Sequence, residues 1–438
     1  METQNASPEA IRYDDVLPAG NDRAPAKARE LGFPPVTMLG TPCTMPDLNT
    51  LLADELAGLD TAGLRRGLRP GRPGSSNEFR SGDRVYLNFA SNDYLGLASH
   101  PSVIEAAAQA TREWGAGSGA SRLITGSLEL HHKLEDSIAR WKGAEAALVF
   151  SSGYSTALGV IPALIGPSDI AVIDKRVHAC CVDAVRLSGA TLRVFRHNDL
   201  NSLESILQWA DRRRTPGNPA RVLIVTESVF SMDGDQVPLP ELVELKERFG
   251  AWLLLDEAHA TGLFGPNRSG LASAGGLPAR VEVQMGTLGK ALGSSGGYIA
   301  GSRILIDFLI NKARSFIFST APVPAASAAA QQSVEIITSE EGATRCRQAW
   351  QHAHRLAGHL APGTAPTSAI FPFILGSEQS ALDASAHLQQ RGILVPAVRF
   401  PTVPRGSARL RITVNAAHHS DQLEQLINAL GSVPKTNV

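Results

Sequence analysis

Apolar and polar positions change their period along this chain, and the changes outline its elements. From Asp47, apolar residues at Leu48, Leu51, Leu52, Leu56 and Leu59 keep a helical spacing, with Asp47 placed to cap the first turn. After Arg65-Arg66 a Pro/Gly/Ser stretch to Ser76 breaks that pattern. Tyr86-Leu87-Asn88-Phe89 reads as a short strand leading into the polar loop Ser91-Asn92-Asp93-Tyr94-Leu95-Gly96-Leu97. Pro101 opens a helix through Trp114, and Leu130, Leu134, Ile138 and Trp141 form the apolar face of the next. Short apolar runs follow at 147–150, 170–173, 192–195, 222–225, 252–255 and 281–283, most of them separated by helical patterns. Gly296-Gly297-Tyr298-Ile299-Ala300-Gly301 adds a strand, read as antiparallel. Apolar strands alternating with helices predict an α/β fold with a mostly parallel sheet covered on both faces.

The character changes after Ser319-Thr320. Helical stretches near 322–338, 341–360, 379–391 and 421–430 surround strands at Ile370–Ile374 and Leu410–Val414 and an extended segment at Val395. This predicts a smaller α+β C-terminal domain. The expected divisions are a poorly ordered extension over 1–46, an N-terminal segment over 47–98, a large domain over 99–325 and the small domain over 326–438.

The bulk composition narrows the function classes. The chain has 438 residues, 43% hydrophobic and 19% charged, with a formal net charge of −1. That balance gives no general attraction to nucleic acid or an anionic membrane. No apolar run approaches the roughly 20 residues of a membrane span. Four cysteines without paired spacing, two of them adjacent at Cys180 and Cys181, suit a reducing compartment, and the cytoplasm is the expected location. No metal site is expected.

The candidate chemistry gathers where strands end. Lys290 lies in Gly286-Thr287-Leu288-Gly289-Lys290-Ala291-Leu292-Gly293, a stretch read as too rich in glycine for a helix or a stable strand. Such a lysine contacts phosphate or, once desolvated, acts as a nucleophile that makes Schiff bases. The phosphate-loop pattern needs Gly-Lys-Ser/Thr after four residues and a glycine, which this stretch does not supply. Asp256-Glu257-Ala258-His259 after an apolar strand resembles the magnesium-binding strand of helicase-type ATPases, but no phosphate loop precedes it. Ser151-Ser152-Gly153-Tyr154-Ser155 suits a helix N-terminus that binds phosphate, although a plain strand-to-helix turn accounts for it equally well. His178 follows another strand and is of the kind that stacks on a flat ring or fills a structural role. One ligand reconciles these groups: pyridoxal 5′-phosphate, with its phosphate at Gly153, Tyr154 and Thr287, its ring against His178, its nitrogen paired with Asp256, its phenolic oxygen near His259 and its aldehyde on Lys290.

In order, Asn92 to Leu97, Ser152-Gly153-Tyr154, Asp174 to His178, Phe230-Ser231-Met232-Asp233-Gly234, Asp256 to Gly262 and Thr287-Leu288-Gly289-Lys290 resemble the α-oxoamine synthases, which are fold-type-I pyridoxal-phosphate transferases. The resemblance spans about residues 48–432. It implies a homodimer that condenses an amino acid with an acyl thioester and releases carbon dioxide. It gives catalytic roles to Lys290, His178 and Asp256, and cofactor roles also to Gly153, Tyr154, Ser231, His259 and Thr287. Substrate roles fall on Arg65, Asn92 and Thr402, and the amino-acid carboxylate on Arg411 or Arg399. The residue pattern alone offers another reading of Arg409 and Arg411, an exposed strand face, because they alternate with Leu410 and Ile412. Segments 287–293 and 401–413 are most similar to the biotin-pathway branch, which implies L-alanine and a pimeloyl group on coenzyme A or acyl carrier protein. Glycine-using relatives with shorter acyl groups are the alternative, and an inactive partner subunit is disfavoured by Lys290 and Asp256 together. Cys180 stands where the family often has serine.

Overall fold

The structure is a computed structural model that describes residues 47–74, 77–215, 217 and 220–433. The 1–46 extension therefore lies outside the described residues. Contacts divide the chain into two units, Met1–Gly58 and Leu59–Val438. The described part of the first belongs to the helix Leu48–Thr61, where Asp47 Oδ2 accepts the Thr50 N–H at 3.3 Å. Leu48, Leu51, Leu52 and Leu56 on it are all exposed.

The second unit is built on a seven-stranded sheet in the order Ala146–Phe150, Gly297–Gly301, Val283–Thr287, Trp252–Asp256, Val222–Glu227, Ile170–Asp174, Thr191–Phe195. Gly297–Gly301 runs antiparallel to both of its neighbours, and the remaining adjacent pairs are parallel. The unbroken apolar runs have a simple cause: successive residues of a strand face opposite sides, and here both sides are covered. Ile170 and Val172 join Leu203, Leu207, Leu242 and Val243 on one face. Ala171 and Ile173 join Val160, Ile161, Ala184 and Val185 on the other. Each fully buried aliphatic side chain contributes about 1.5–3 kcal/mol, so the central sheet is the rigid frame of the molecule.

Two expectations about the lysine stretch need correction. The strand begins at Val283, not Val281, because Pro278–Arg280 form a 3₁₀ turn and the first residue in register with the neighbouring strand is Val283, opposite Leu254. It also continues through Gly286 and Thr287, which were read as unable to hold a strand. Pairing with Gly297–Gly301 fixes that backbone, and the glycine is required by packing: a Cβ at Gly286 would lie 2.4 Å from the Tyr298 ring. Composition disfavoured the strand; tertiary pairing overrode it.

Two smaller sheets complete the unit. One is antiparallel, in the order Ile370–Gly376, Ala408–Thr413, Ala397–Val398. The other joins Arg72–Pro73, Glu78–Ser81, Arg84–Asn88 and Ile393–Leu394, the last pairing in parallel with 84–88. Two of these strands, 72–73 and 78–81, have no counterpart in the hydrophobic pattern because Arg, Pro and Glu fill them. Helices Pro324–Thr338 and Glu340–Leu360 follow the expected stretches. Among the described residues no helix is long and apolar enough to cross a membrane.

Candidate active site

The parallel strands bring Phe150, Asp174, Phe195, Glu227, Asp256 and Thr287 to one edge of the central sheet, the carboxyl edge where open α/β sheets bind ligands. Lys290 follows in the connection to Gly297. That connection is tight: Gly293 N–H donates to Lys290 O at 2.8 Å and Ser294 N–H to Leu288 O at 2.9 Å. Leu288, Ala291 and Leu292 anchor it in the core. Gly293 takes φ +60°, and a Cβ there would sit 2.3 Å from Ala98 N, so only glycine fits. Burial pulls the Lys290 amine below its ordinary pKa, while the nearby Asp256 carboxylate, and Glu227 once ionised, oppose the shift and Arg411 adds to it. A lysine so placed loses its proton more readily than one in water.

Asp256 ends its strand buried, with Oδ1 accepting the Ala258 N–H at 2.9 Å. Beside it in register stands Glu227, whose carboxyl is pushed up to about 8 by burial and by the Asp256 charge. Three positions after Asp256, His259 is buried, and its Nδ1 lies 2.6 Å from the Tyr94 hydroxyl. Burial, then the cations Lys290, Arg411 and His178, hold His259 well below the ordinary imidazole pKa, so it is neutral. The shorter contact assigns the Tyr94 proton to Nδ1 rather than to Asn92 Oδ1 at 3.3 Å, which leaves the ring proton on Nε2 and makes the imidazole a donor on its other side.

The N-terminus of helix Gly153–Leu164 lies against the end of strand Val283–Thr287. Ser152 caps that helix by accepting the Ser155 N–H at 3.0 Å. A Cβ on Gly153 would meet Thr287 Cγ2 at 2.5 Å, so the first helical residue and the strand end are in direct contact. Thr287 Oγ1 is buried with no hydrogen-bond partner among the described residues. A buried hydroxyl beside a helix N-terminus, left without a partner, fits an incoming anion. The partly exposed Tyr154 gives its hydroxyl proton to Asp183.

His178 caps helix Ala179–Ser188, its Nδ1 accepting the Cys180 N–H at 3.3 Å, and its ring is exposed. The Cys180 thiol lies 3.0 Å from that nitrogen and 4.0 Å from Cys181 Sγ. Bonds from Cys181 and His178 draw the Cys180 thiol down to about 6, and the same contact raises His178. A cysteine in the family's frequent serine position therefore still fixes the ring.

The arginines separate clearly. Ala408–Thr413 is buried along its whole length, so the exposed-face reading of Arg409 and Arg411 is overturned. Arg409 is consumed by Asp233 at 2.7 Å and by Met232 O. Arg411 donates from Nε to Ser231 O and from Nη1 to Asn92 Oδ1 at 2.9 Å, while Nη2 is buried without a partner among the described residues. Arg399, the other carboxylate candidate, instead donates to the carbonyls of Gly63 and Arg65. Arg65 pairs with Asp60 at 2.6 Å, and it is Arg66 that reaches Thr402 Oγ1, at 3.4 Å. The structure thus joins Asn92, Ser231 and Arg411 to the Lys290 group. Arg65, Arg399 and Thr402 lie in a second group bound largely to one another.

The pattern-based reading missed Tyr94, Glu227 and Arg66. Tyr94 lies inside the Asn92–Leu97 motif and Glu227 just after the apolar run 222–225, but what they hold appears only across strands. Behind Asp256, Glu257 is fully buried against Lys142 and also accepts the Ala272 N–H at 2.9 Å. Breaking such a pair costs about 3–5 kcal/mol, which marks Glu257 as the brace of this strand end. A cavity of about 650 Å³, lined by Trp252, Pro278, Val281, Ile304 and Phe308, opens at the other end of the strands, away from these groups.

Residues 84–430 match the family described as aminotransferase class I and II. A protein of Anaeromyxobacter dehalogenans (strain 2CP-1 / ATCC BAA-258), named 8-amino-7-oxononanoate synthase, is 46% identical over 384 residues, 86% of this chain and 94% of that protein. Serine palmitoyltransferase from S. paucimobilis, solved with PLP bound in an adduct with myriocin, superposes with a TM-score of 0.81 at 28% identity, covering 88% of this chain and 98% of that one. The structure of 8-amino-7-oxononanoate synthase from Francisella tularensis superposes with a TM-score of 0.65 at 25% identity, covering 78% and 96%. The chain belongs to the aminotransferase class I and II family. Its fold is that of the fold-type-I pyridoxal-phosphate transferases.

Proposed function

We propose that the chain is a pyridoxal-5′-phosphate-dependent acyltransferase of the α-oxoamine synthase type. Its reaction is the decarboxylative condensation of L-alanine with a pimeloyl thioester, giving 8-amino-7-oxononanoate, carbon dioxide and free thiol in biotin biosynthesis. The observation that carries the reading is one cluster: a half-buried lysine whose amine has lowered proton affinity, flanked by Asp256, neutral His259 and Arg411, beside the Thr287 hydroxyl that has no partner among the described residues. The names of relatives such as the Anaeromyxobacter protein support the specific substrates.

Bound pyridoxal phosphate supplies an electron-poor ring that spreads negative charge from the amino acid's α-carbon. Gly153, Tyr154 and Thr287 would hold its phosphate end, Ser231 would contact it from the Arg411 side, and His178 would hold its ring face, His259 Nε2–H its phenolic oxygen, and Asp256 its ring nitrogen. Lys290 would anchor the group, and its amine would take the proton from the substrate's α-carbon. Arg411 Nη2 takes the amino-acid carboxylate, oriented by Asn92 and Ser231. The Arg66–Thr402 pair extends the substrate side toward Arg65 and Arg399 for the acyl donor, on coenzyme A or acyl carrier protein. A homodimer fits the exposed Leu123, Ile124, Phe318 and Val323, and the cytoplasm fits the composition.

Turnover, rather than binding, tests the substrates, because one methyl group gives only about 1–3 kcal/mol of discrimination. Carbon dioxide and ketone product are measured for L-alanine and glycine with pimeloyl-, acetyl- and succinyl-coenzyme A. The expected result is fastest product from L-alanine and the pimeloyl thioester. Fast product from glycine with a short acyl group, and little from that pair, would replace the substrate assignment with a glycine-using one.

A further inference from the structure

Glu227 has no part in the chemistry above, yet it sits at its centre. It is 2% exposed and ends its strand directly opposite Asp256. Its Oε2 accepts the Ser231 N–H at 2.9 Å, while Oε1 is buried without a hydrogen-bond partner among the described residues. Ser231 passes the constraint on, because its carbonyl accepts Arg411 Nε, and Arg411 Nη1 is tied in turn to Asn92. Glu227, Ser231 and Arg411 thus form one hydrogen-bonded line from the sheet edge to the unpartnered Nη2.

We infer that Glu227 is a positioning residue: its carboxyl fixes the Ser231 peptide, and through it aims the free Nη2 of Arg411 at the substrate carboxylate. This rests on the proposed function. A neutral acid suits the position, since a second full charge beside Asp256 in a buried site would be poorly tolerated. The groups facing Glu227 are Asp256, His178 and Lys290, with Tyr94 and Cys181 also within its electrostatic reach. Asp256 opposes ionisation; His178 and Lys290 favour it; burial decides in favour of the neutral form, with a pKa of about 8. Above that pH the side chain ionises, and its new charge also strengthens the hold of Lys290 on its proton.

Two variants and two readouts test this. Glu227→Ala removes the acceptor of the Ser231 N–H. The KM for L-alanine is expected to rise by about tenfold or more, as for loss of a bond supporting a charged group, with a smaller change in the thioester KM. Glu227→Gln keeps a carbonyl acceptor and is expected to restore most of the alanine KM while removing the fall in kcat/KM above pH 8. The second readout is the thermal midpoint of the full chain against pH. A carboxyl with its folded pKa raised destabilises the protein as pH climbs from the ordinary glutamate range to about 8, and Glu227→Gln is expected to flatten that slope. An unchanged alanine KM in Glu227→Ala, or a wild-type alkaline limb and stability slope in Glu227→Gln, overturns the inference. If Glu227→Ala does not fold, Glu227→Gln decides alone. A wild type that turns over no amino acid overturns the proposed function instead, and the stability slope still judges the neutral acid.

Discussion

Replacing Lys290 by alanine is expected to lower turnover by about 10⁴-fold while leaving the protein folded. A positioned proton-transfer group accounts for about 10²–10⁴-fold, and Lys290 is also the covalent anchor, so the effect falls at the upper end. Folding is spared because Leu288, Ala291 and Leu292 hold the connection, and Lys290 itself is only half-buried. Removing a partly desolvated amine relieves a burial penalty rather than creating one. Steady-state turnover, together with the thermal midpoint, checks both halves. Activity within tenfold of wild type would remove Lys290 from the chemistry.

Replacing Asp256 by asparagine is the second large effect. The amide is nearly the same size, and its carbonyl can still accept the Ala258 N–H, so the strand end persists. What is lost is a fixed negative charge in a site that Glu257 and Lys142 keep rigid from behind. Loss of one preorganised electrostatic partner costs about 10²–10³-fold in kcat. The same change also alters two neighbours predictably. Glu227 loses the like charge that helps keep it protonated, so its pKa falls, and Lys290 loses an opposing charge, so its pKa falls further. A kcat within a few-fold of wild type would show that Asp256 does not pair with the cofactor.

Much of this site was legible before any coordinates because apolar runs stop where chemistry begins. Ile170 to Ile173 and Trp252 to Leu255 announce strands, and Asp174, His178 and Asp256 mark their ends. Lys290 stood out because Gly289 and Gly293 flank it. What the pattern hid depends on which strands become neighbours. Glu227 is one more polar residue after an apolar run until its strand pairs with 252–256 and sets it beside Asp256. Tyr94 shows a role only when its hydroxyl meets His259, far along the chain. Arg399 and Arg411 are chemically alike, and backbone carbonyls at Gly63 and Arg65 distinguish them by occupying Arg399. The Gly286-Thr287 strand was hidden for a related reason, since Tyr298 and the partner strand impose a conformation that glycine does not prefer.

The most direct measurement is reductive trapping. The full chain is incubated with pyridoxal 5′-phosphate, reduced with borohydride, digested and mapped by mass spectrometry. A pyridoxyl group fixed on Lys290, absent from every other lysine and lost in Lys290→Ala, is the predicted result. A chain that takes up no cofactor, or carries it on a different lysine, would contradict the site.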